Sequence, residues 1–119
     1  MQPSSSHDVI VVGAGTAGCL LAARLSEDPD RRVLLLEAGG NDRHLAVKMP
    51  AAFPQLFHTK RDWDYHGDPE ESVAGRRLFL PRGKMLGGSS SMNAMLYVRS
   101  RPQDHALWEA AGATGWGWE

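Results

Sequence analysis

The sequence predicts an α/β fold, and three observations predict it. Val9-Ile10-Val11-Val12 and Val33-Leu34-Leu35-Leu36 are short runs that are apolar at every position, the habit of parallel strands covered on both faces. A glycine cluster, Gly13-Ala14-Gly15-Thr16-Ala17-Gly18, stands directly behind the first run. Good helix formers from Cys19 to Leu25 fill the interval, so strand, glycine turn, helix and strand follow within about 30 residues, the length of a βαβ unit. The expected architecture is a Rossmann-like βαβ start over residues 8–40, then a mostly irregular segment, then a helix.

Each element has a local reason. The first strand, His7 to Val12, is opened by Asp8 and carried by β-branched residues that suit a pleated, buried surface. The first helix stops in Ser26-Glu27-Asp28-Pro29-Asp30, because a proline cannot continue it. Arg31-Arg32 lead into the second strand, which closes at Glu37. Beyond Gly39-Gly40 the periodicity fades, and Met49 to Pro54 is expected as a loop with a short helix. Trp63-Asp64-Tyr65 and Leu78-Phe79-Leu80 are weak strand candidates, with Gly75 turning the chain before the second. Pro102 to Ala111 predicts a helix: Pro102 suits a first turn, and Leu107, Ala110 and Ala111 form one face. Residues 1–7, with Ser4-Ser5-Ser6, are expected as a flexible tail.

Composition bounds the function. A chain of 119 residues and 13.0 kDa, 42% apolar and 23% charged, is one globular domain's worth of sequence. Thirteen Lys and Arg against 14 Asp and Glu leave a net charge of -1, so no nucleic-acid or anionic-membrane partner is expected. The single cysteine cannot close a disulfide within the chain, and the five histidines share no metal-ligand spacing, so no metal site is expected. No run approaches the roughly 20 apolar residues of a membrane span. The N-terminus lacks a secretory signal's charge and apolar stretch, so a cytoplasmic location is expected, with peripheral membrane association of a longer protein still compatible.

The first glycine cluster carries the chemistry. Gly13 permits a tight turn, Gly15 lets a pyrophosphate approach the backbone, and Gly18 brings helix and strand close. The helix N-terminus, with Thr16 and Ala17, offers unpaired N–H groups and partial positive charge to phosphates. Glu37, followed by Ala38, ends the second strand, where a carboxylate accepts from both hydroxyls of an adenosine ribose and repels a 2′-phosphate. This disfavours NADP and leaves NAD and FAD open. The plainer alternatives are a glycine-rich turn of an unrelated α/β protein and a solvated strand-end charge at Glu37.

A second cluster, Arg82-Gly83-Lys84-Met85-Leu86-Gly87-Gly88-Ser89-Ser90-Ser91-Met92-Asn93, is too rich in Gly and Ser for a helix or central strand. It reads as a nest of free backbone N–H groups pressed against a flat ring. Gly83-Lys84-x-Leu86-Gly87-Gly88-Ser89-Ser90-x-Met92-Asn93-x-x-x-Tyr97 resembles the first signature of the glucose–methanol–choline (GMC) oxidoreductases. Leu34-Leu35-Leu36-Glu37-Ala38-Gly39 is similar to that family's second strand, and the likeness runs from Asp8 to Trp118. The branch it most resembles holds choline dehydrogenase and the bacterial aliphatic alcohol dehydrogenases.

The resemblance implies FAD, gripped at its adenosine end by Gly13, Gly15, Thr16, Ala17, Gly18, Glu37 and Ala38. The flavin end would meet the loop at 82–99, through Arg82, Gly83, Gly87, Gly88, Ser89, Asn93 and Ala94. Some members tether FAD through a His just before the signature Asn; Met92 stands there, which implies non-covalent binding. Ser100 departs from the usual Gly, Pro or Ala, and only a small backbone adjustment is expected.

The implied reaction is oxidation of a small alcohol to an aldehyde or ketone by hydride transfer to flavin. Reoxidation would be by a quinone-type acceptor or O₂. The family's catalytic His, paired with Asn or His, lies near the C-terminus of much longer chains. No catalytic residue is therefore expected here, the substrate domain is expected to be absent, and the chain is expected to be an N-terminal piece. A lyase of the same family and a non-catalytic dinucleotide-binding module are the alternatives. Trp63, Tyr65, Trp108, Trp116 and Trp118 are read as packing, Cys19 as a small buried residue, and Arg99 and Arg101 as surface or intersubunit charges.

Overall fold

The structure, a computed structural model, describes residues 6–118. Of the tail expected at 1–7, residues 1–5 lie outside the described residues; Ser6 and Asp8 are tied to Arg32 by hydrogen bonds of 2.6 and 2.7 Å. Strand β1 (Val9–Val12), helix α1 (Thr16–Leu25) and strand β2 (Val33–Leu36) form the βαβ unit. β1 and β2 are parallel, with Val9 opposite Val33 and Val12 opposite Leu36. α1 starts at Thr16, inside the glycine cluster and earlier than the side-chain pattern indicates. The Cys19 N–H donates to the Gly15 carbonyl at 2.9 Å and makes Gly15 the N-cap.

α1 covers one face of this pair and leaves the other bare. Val11 is buried under the helix, whereas Ile10 and Val12, pointing the opposite way, are 56% and 82% exposed. The two-sided burial expected of these strands is therefore not met among the described residues.

The tightest apolar packing lies elsewhere. Helix α2 (Leu45–Lys48), which no pattern announced, is capped by the His44 ring, and a 3₁₀ segment at Pro50–Leu56 follows it. Ala46, Ala52 and Leu56 from these two meet Met85 and Met92 of the second glycine cluster, with Val47 and Phe57 beside them.

Strands β3 (Tyr65–His66) and β4 (Phe79–Leu80) pair antiparallel, and their register extends into a longer irregular hairpin. Gly67 N–H donates to Leu78 O at 2.8 Å at the tip side, and Lys84 N–H to Arg61 O at 2.7 Å at the base. Ala74 and Gly75, at φ 58° and 70°, turn the chain between the arms. The regular ladder is interrupted at Asp64, which is bent to φ 55° opposite Pro81.

Helix α3 (Pro102–Ala110) begins at its proline as expected, but the face expected to pack does not: Leu107 is 68% exposed and α3 has no buried residue. His105 ties the neighbourhood together, its Nε2 2.7 Å from Ser100 Oγ and its Nδ1 3.1 Å from the Trp116 carbonyl. Trp108 and Trp118 flank that ring, and Arg99 lies over Trp118. The radius of gyration is 19.1 Å, against about 13–14 Å for a close-packed globule of this length.

Candidate functional site

The first cradle is built where β1 runs into α1. Gly13 turns the chain at φ 94°, a left-handed value, while its N–H donates to Leu36 O at 2.7 Å and holds the turn against β2. A Cβ on Gly18 would lie 1.8 Å from the Gly13 carbonyl oxygen, so the third glycine is what lets helix and strand approach.

Gly15 is different. Its φ of −75° and ψ of −172° suit any residue, and a Cβ there would meet nothing within 4 Å. The protein's own packing gives no reason for a glycine at this position, and what it leaves is bare backbone facing a cleft. The helix end behind it has no side-chain cap and no acidic residue in its first turn, so its dipole and N–H groups are left for a ligand.

Glu37 closes this cradle from β2. Its Oε2 accepts from the Ala14 N–H and its Oε1 from the Gly39 N–H, both at 2.8 Å. The carboxylate thus braces the glycine turn, a role the sequence did not suggest, and each oxygen keeps acceptor capacity for a ligand hydroxyl.

The second cluster is stitched onto the first. Gly87 N–H donates to Ala14 O at 2.7 Å and Leu86 N–H to Gly40 O at 2.9 Å. Gly88, at φ 56°, presses so close that its Cβ would sit 2.9 Å from the Gly15 Cα, and a Cβ on Gly83 would lie 2.1 Å from Gly88 O. The expected nest of free N–H groups is only partly present. Gly88–Ser91 curl into a 3₁₀ turn, and the N–H groups of Gly87, Gly88, Ser90, Met92 and Asn93 all donate to protein carbonyls. Left-handed bends at Gly87 and Gly88 fold the loop onto itself and use all of those donors but the Gly87 N–H within the loop.

Between the cradles runs a cleft of about 750 Å³. Of the residues singled out from the sequence, Gly13, Gly15, Glu37, Ala38, Arg82, Gly83, Gly88 and Ser89 line it. Asn93 and Ala94 line an adjoining cavity of about 340 Å³, which shares Arg82 and Ser89 with the first and has Phe53, Phe57 and Met92 in its walls. Thr16, Ala17, Gly18 and Gly87 line neither cavity; they shape the turn and helix end behind the first. Asn93 also accepts the Met95 N–H at 2.6 Å.

Trp63 and Tyr65, read as packing, instead form a wall of the cleft, stacked at 5.8 Å with an interplanar angle of 13°, and Lys84 Nζ lies 4.4 Å from the Trp63 ring centroid. The signal was their two-residue spacing, which places both rings on one side of a strand. Val12 and Leu36 complete an apolar floor.

Asp62 was not singled out at all. It is buried, and its carboxylate accepts from the N–H groups of His58, Asp64 and Arg82 at 3.1, 3.0 and 3.0 Å. Burial pushes its carboxyl up, yet these three amides, with the nearby His58, hold it below the ordinary value. Cys19 is exposed rather than buried, its Sγ donating to Ala14 O at 3.2 Å. No histidine lines either cavity. No group of His, Cys, Asp and Glu able to hold a metal occurs among the described residues, and no described helix is long and apolar enough to cross a membrane.

A parallel βαβ unit, a bare glycine turn at an uncapped helix end and an acid closing the second strand together define a dinucleotide-binding α/β domain. The family profile of the GMC oxidoreductases matches residues 7–119, and the chain belongs to that family of FAD flavoproteins. It is 49% identical over 114 residues to an alcohol dehydrogenase [acceptor] of Pseudomonas putida, covering 95% of this chain and 21% of that protein. It is 50% identical over 114 residues to an oxygen-dependent choline dehydrogenase of Vibrio vulnificus, covering 95% of this chain and 20% of that one. The crystal structure of pyridoxine 4-oxidase from Mesorbium loti superposes with a TM-score of 0.76 at 46% identity, over 95% of this chain and 22% of that one. The chain therefore spans about a fifth of the length of the relatives it matches.

Proposed function

We propose that this chain is the cofactor-gripping N-terminal section of a longer FAD-dependent enzyme that oxidises an alcohol to an aldehyde or ketone. The observation that carries the reading is Gly15: a glycine that neither backbone angle nor packing requires, lining the cleft at an uncapped helix end where a side chain would stand in the way of a phosphate. The residues fit the group. Gly13, Gly15 and the start of α1 would take the pyrophosphate, and Glu37 the adenosine ribose. Arg82, Gly83 and Ser89, with Asn93 and Ala94 beyond, would take the flavin end. Bound FAD would supply the hydride acceptor. This chain's residues bind it, orient it and exclude water from one side, and the proton-accepting base is assigned to the remainder of the protein.

Non-covalent binding is supported by Met92, which is 2% exposed and packed in the apolar core, so no nucleophile stands at the family's tethering position. The dependence of this piece on further chain is supported by the bare face of β1 and the large radius of gyration. The relatives' names support an alcohol as donor and a separate electron acceptor, which the Vibrio vulnificus protein's name gives as oxygen.

The test uses the full-length protein. Purified protein should be yellow, release its FAD into the supernatant on heat precipitation, and lose flavin absorbance when an alcohol is added anaerobically. Flavin that stays in the pellet would overturn the non-covalent assignment. Bound flavin that no alcohol bleaches would favour the lyase, and a protein that takes NAD in place of flavin would end the proposal.

A further inference from the structure

We infer that Asp62 is the positioning residue of the cofactor cleft, holding the Trp63–Tyr65 wall and the Arg82–Gly83 wall at the separation the cleft needs. The inference rests on reading the cleft as an FAD site. Asp62 is 6% exposed, the one buried charged side chain among the described residues, and it forms no ion pair there. A buried carboxylate without a cation is a costly way to close a hairpin, so its hydrogen bonds should account for it.

They do, in a specific way. Trp63 N–H donates to Arg82 O at 2.9 Å, as an antiparallel pair requires. The reciprocal donor, Arg82 N–H, goes to Asp62 Oδ1 at 3.0 Å instead of to the Trp63 carbonyl. The same Oδ1 accepts from Asp64 N–H, and Oδ2 accepts from His58 N–H. One side chain thus takes the place of the missing ladder bond beside Asp64, where the backbone bends to φ 55°. It satisfies amides on three segments whose neighbours, Phe57, Trp63, Tyr65 and Gly83, all line one cavity or the other. Without that acceptor, the Arg82 and Asp64 N–H groups would lose their partly buried partner, and the two walls would be free to close or slide.

The experiment measures FAD dissociation constants and melting temperatures of the full-length protein carrying Asp62→Ala, Asp62→Asn or Ala46→Gly. Ala46 is a buried residue of α2 that lines neither cavity and controls for lost stability alone. Asp62→Ala should weaken FAD by about tenfold or more, Asp62→Asn, which keeps one oxygen for Arg82 and Asp64, by less than about threefold, and Ala46→Gly should leave affinity unchanged while lowering the melt. If the alanine variant fails to fold, Asp62→Ser takes its place, with a rise above about threefold required. Equal losses of affinity in the Asp62 and Ala46 variants, or none in the Asp62 ones, would overturn the inference. A parent protein that binds no FAD would instead overturn the cofactor reading itself.

Discussion

Replacing Gly15 with serine should move stability and cofactor affinity in opposite directions. Gly15 is the N-cap of α1, its backbone angles suit serine, and a Cβ there meets no atom within 4 Å. A serine cap improves on glycine by a few tenths of a kcal/mol, and removing a glycine from the unfolded chain adds about 0.4–1 kcal/mol, so the apo-protein should gain about 0.5–1 kcal/mol. The same hydroxyl would take an N–H of the first helical turn, and its Cβ would stand in the cleft. Losing one or two charge-assisted bonds to the pyrophosphate costs about 2–3 kcal/mol, or about 30- to 150-fold in the FAD dissociation constant. Denaturant unfolding of the apo full-length protein reads the first effect and quenching of flavin fluorescence the second. An apo-protein destabilised by more than about 1 kcal/mol, or an affinity within about threefold of the parent, would refute the argument that this glycine exists for a ligand.

Gly18→Ala should destabilise the protein by about 3 kcal/mol, since its Cβ would fall 1.8 Å from Gly13 O; an unchanged thermal melt would mean that α1 can step off β1 freely. Glu37→Gln sets an amide N–H₂ against one of the two N–H groups it now bonds, and should cost about 1–3 kcal/mol in stability with weaker FAD binding, both readable in one titration series of melts. Asp62 has a folded pKa below its ordinary 3.8, so the stability it contributes is fully present above that value and is lost as pH falls through the folded one. Asp62→Asn should therefore flatten the acid limb of the stability profile below about pH 4, and parallel acid limbs in parent and variant would contradict the assignment.

The βαβ unit was legible because its signals are local: two uninterrupted apolar runs, a glycine turn, a proline stop. The hairpin arms at Tyr65–His66 and Phe79–Leu80 were legible more faintly, from aromatic and apolar residues on either side of a Gly75 turn. α2 was not, because four residues are too few for a helical period to show. The exposed Leu107, Ile10 and Val12 follow their sequence pattern but have nothing covering them among the described residues. Within the site, glycines could be read because their function is to be absent of side chain. Asp62 could not, since an aspartate beside Trp63 looks like any surface acid until its three amide partners, one of them from the far hairpin arm, are brought to it. The roles of Trp63 and Tyr65 were hidden for a related reason: a ring that packs and a ring that lines a cleft have the same sequence, and only the cleft they share with Glu37 and Arg82 tells them apart.

The bond from Gly87 to Ala14 joins points some seventy residues apart, and closing a loop of that length costs about 4 kcal/mol in chain entropy. A nucleotide lying along both glycine turns would act as a removable staple across that closure, tightening the protein much as a disulfide does but reversibly. Loss of the cofactor should then be felt first as a parting of the two turns, leaving β1 and α1 joined while the serine-rich loop swings away, and the empty protein would be most open to proteases at that seam.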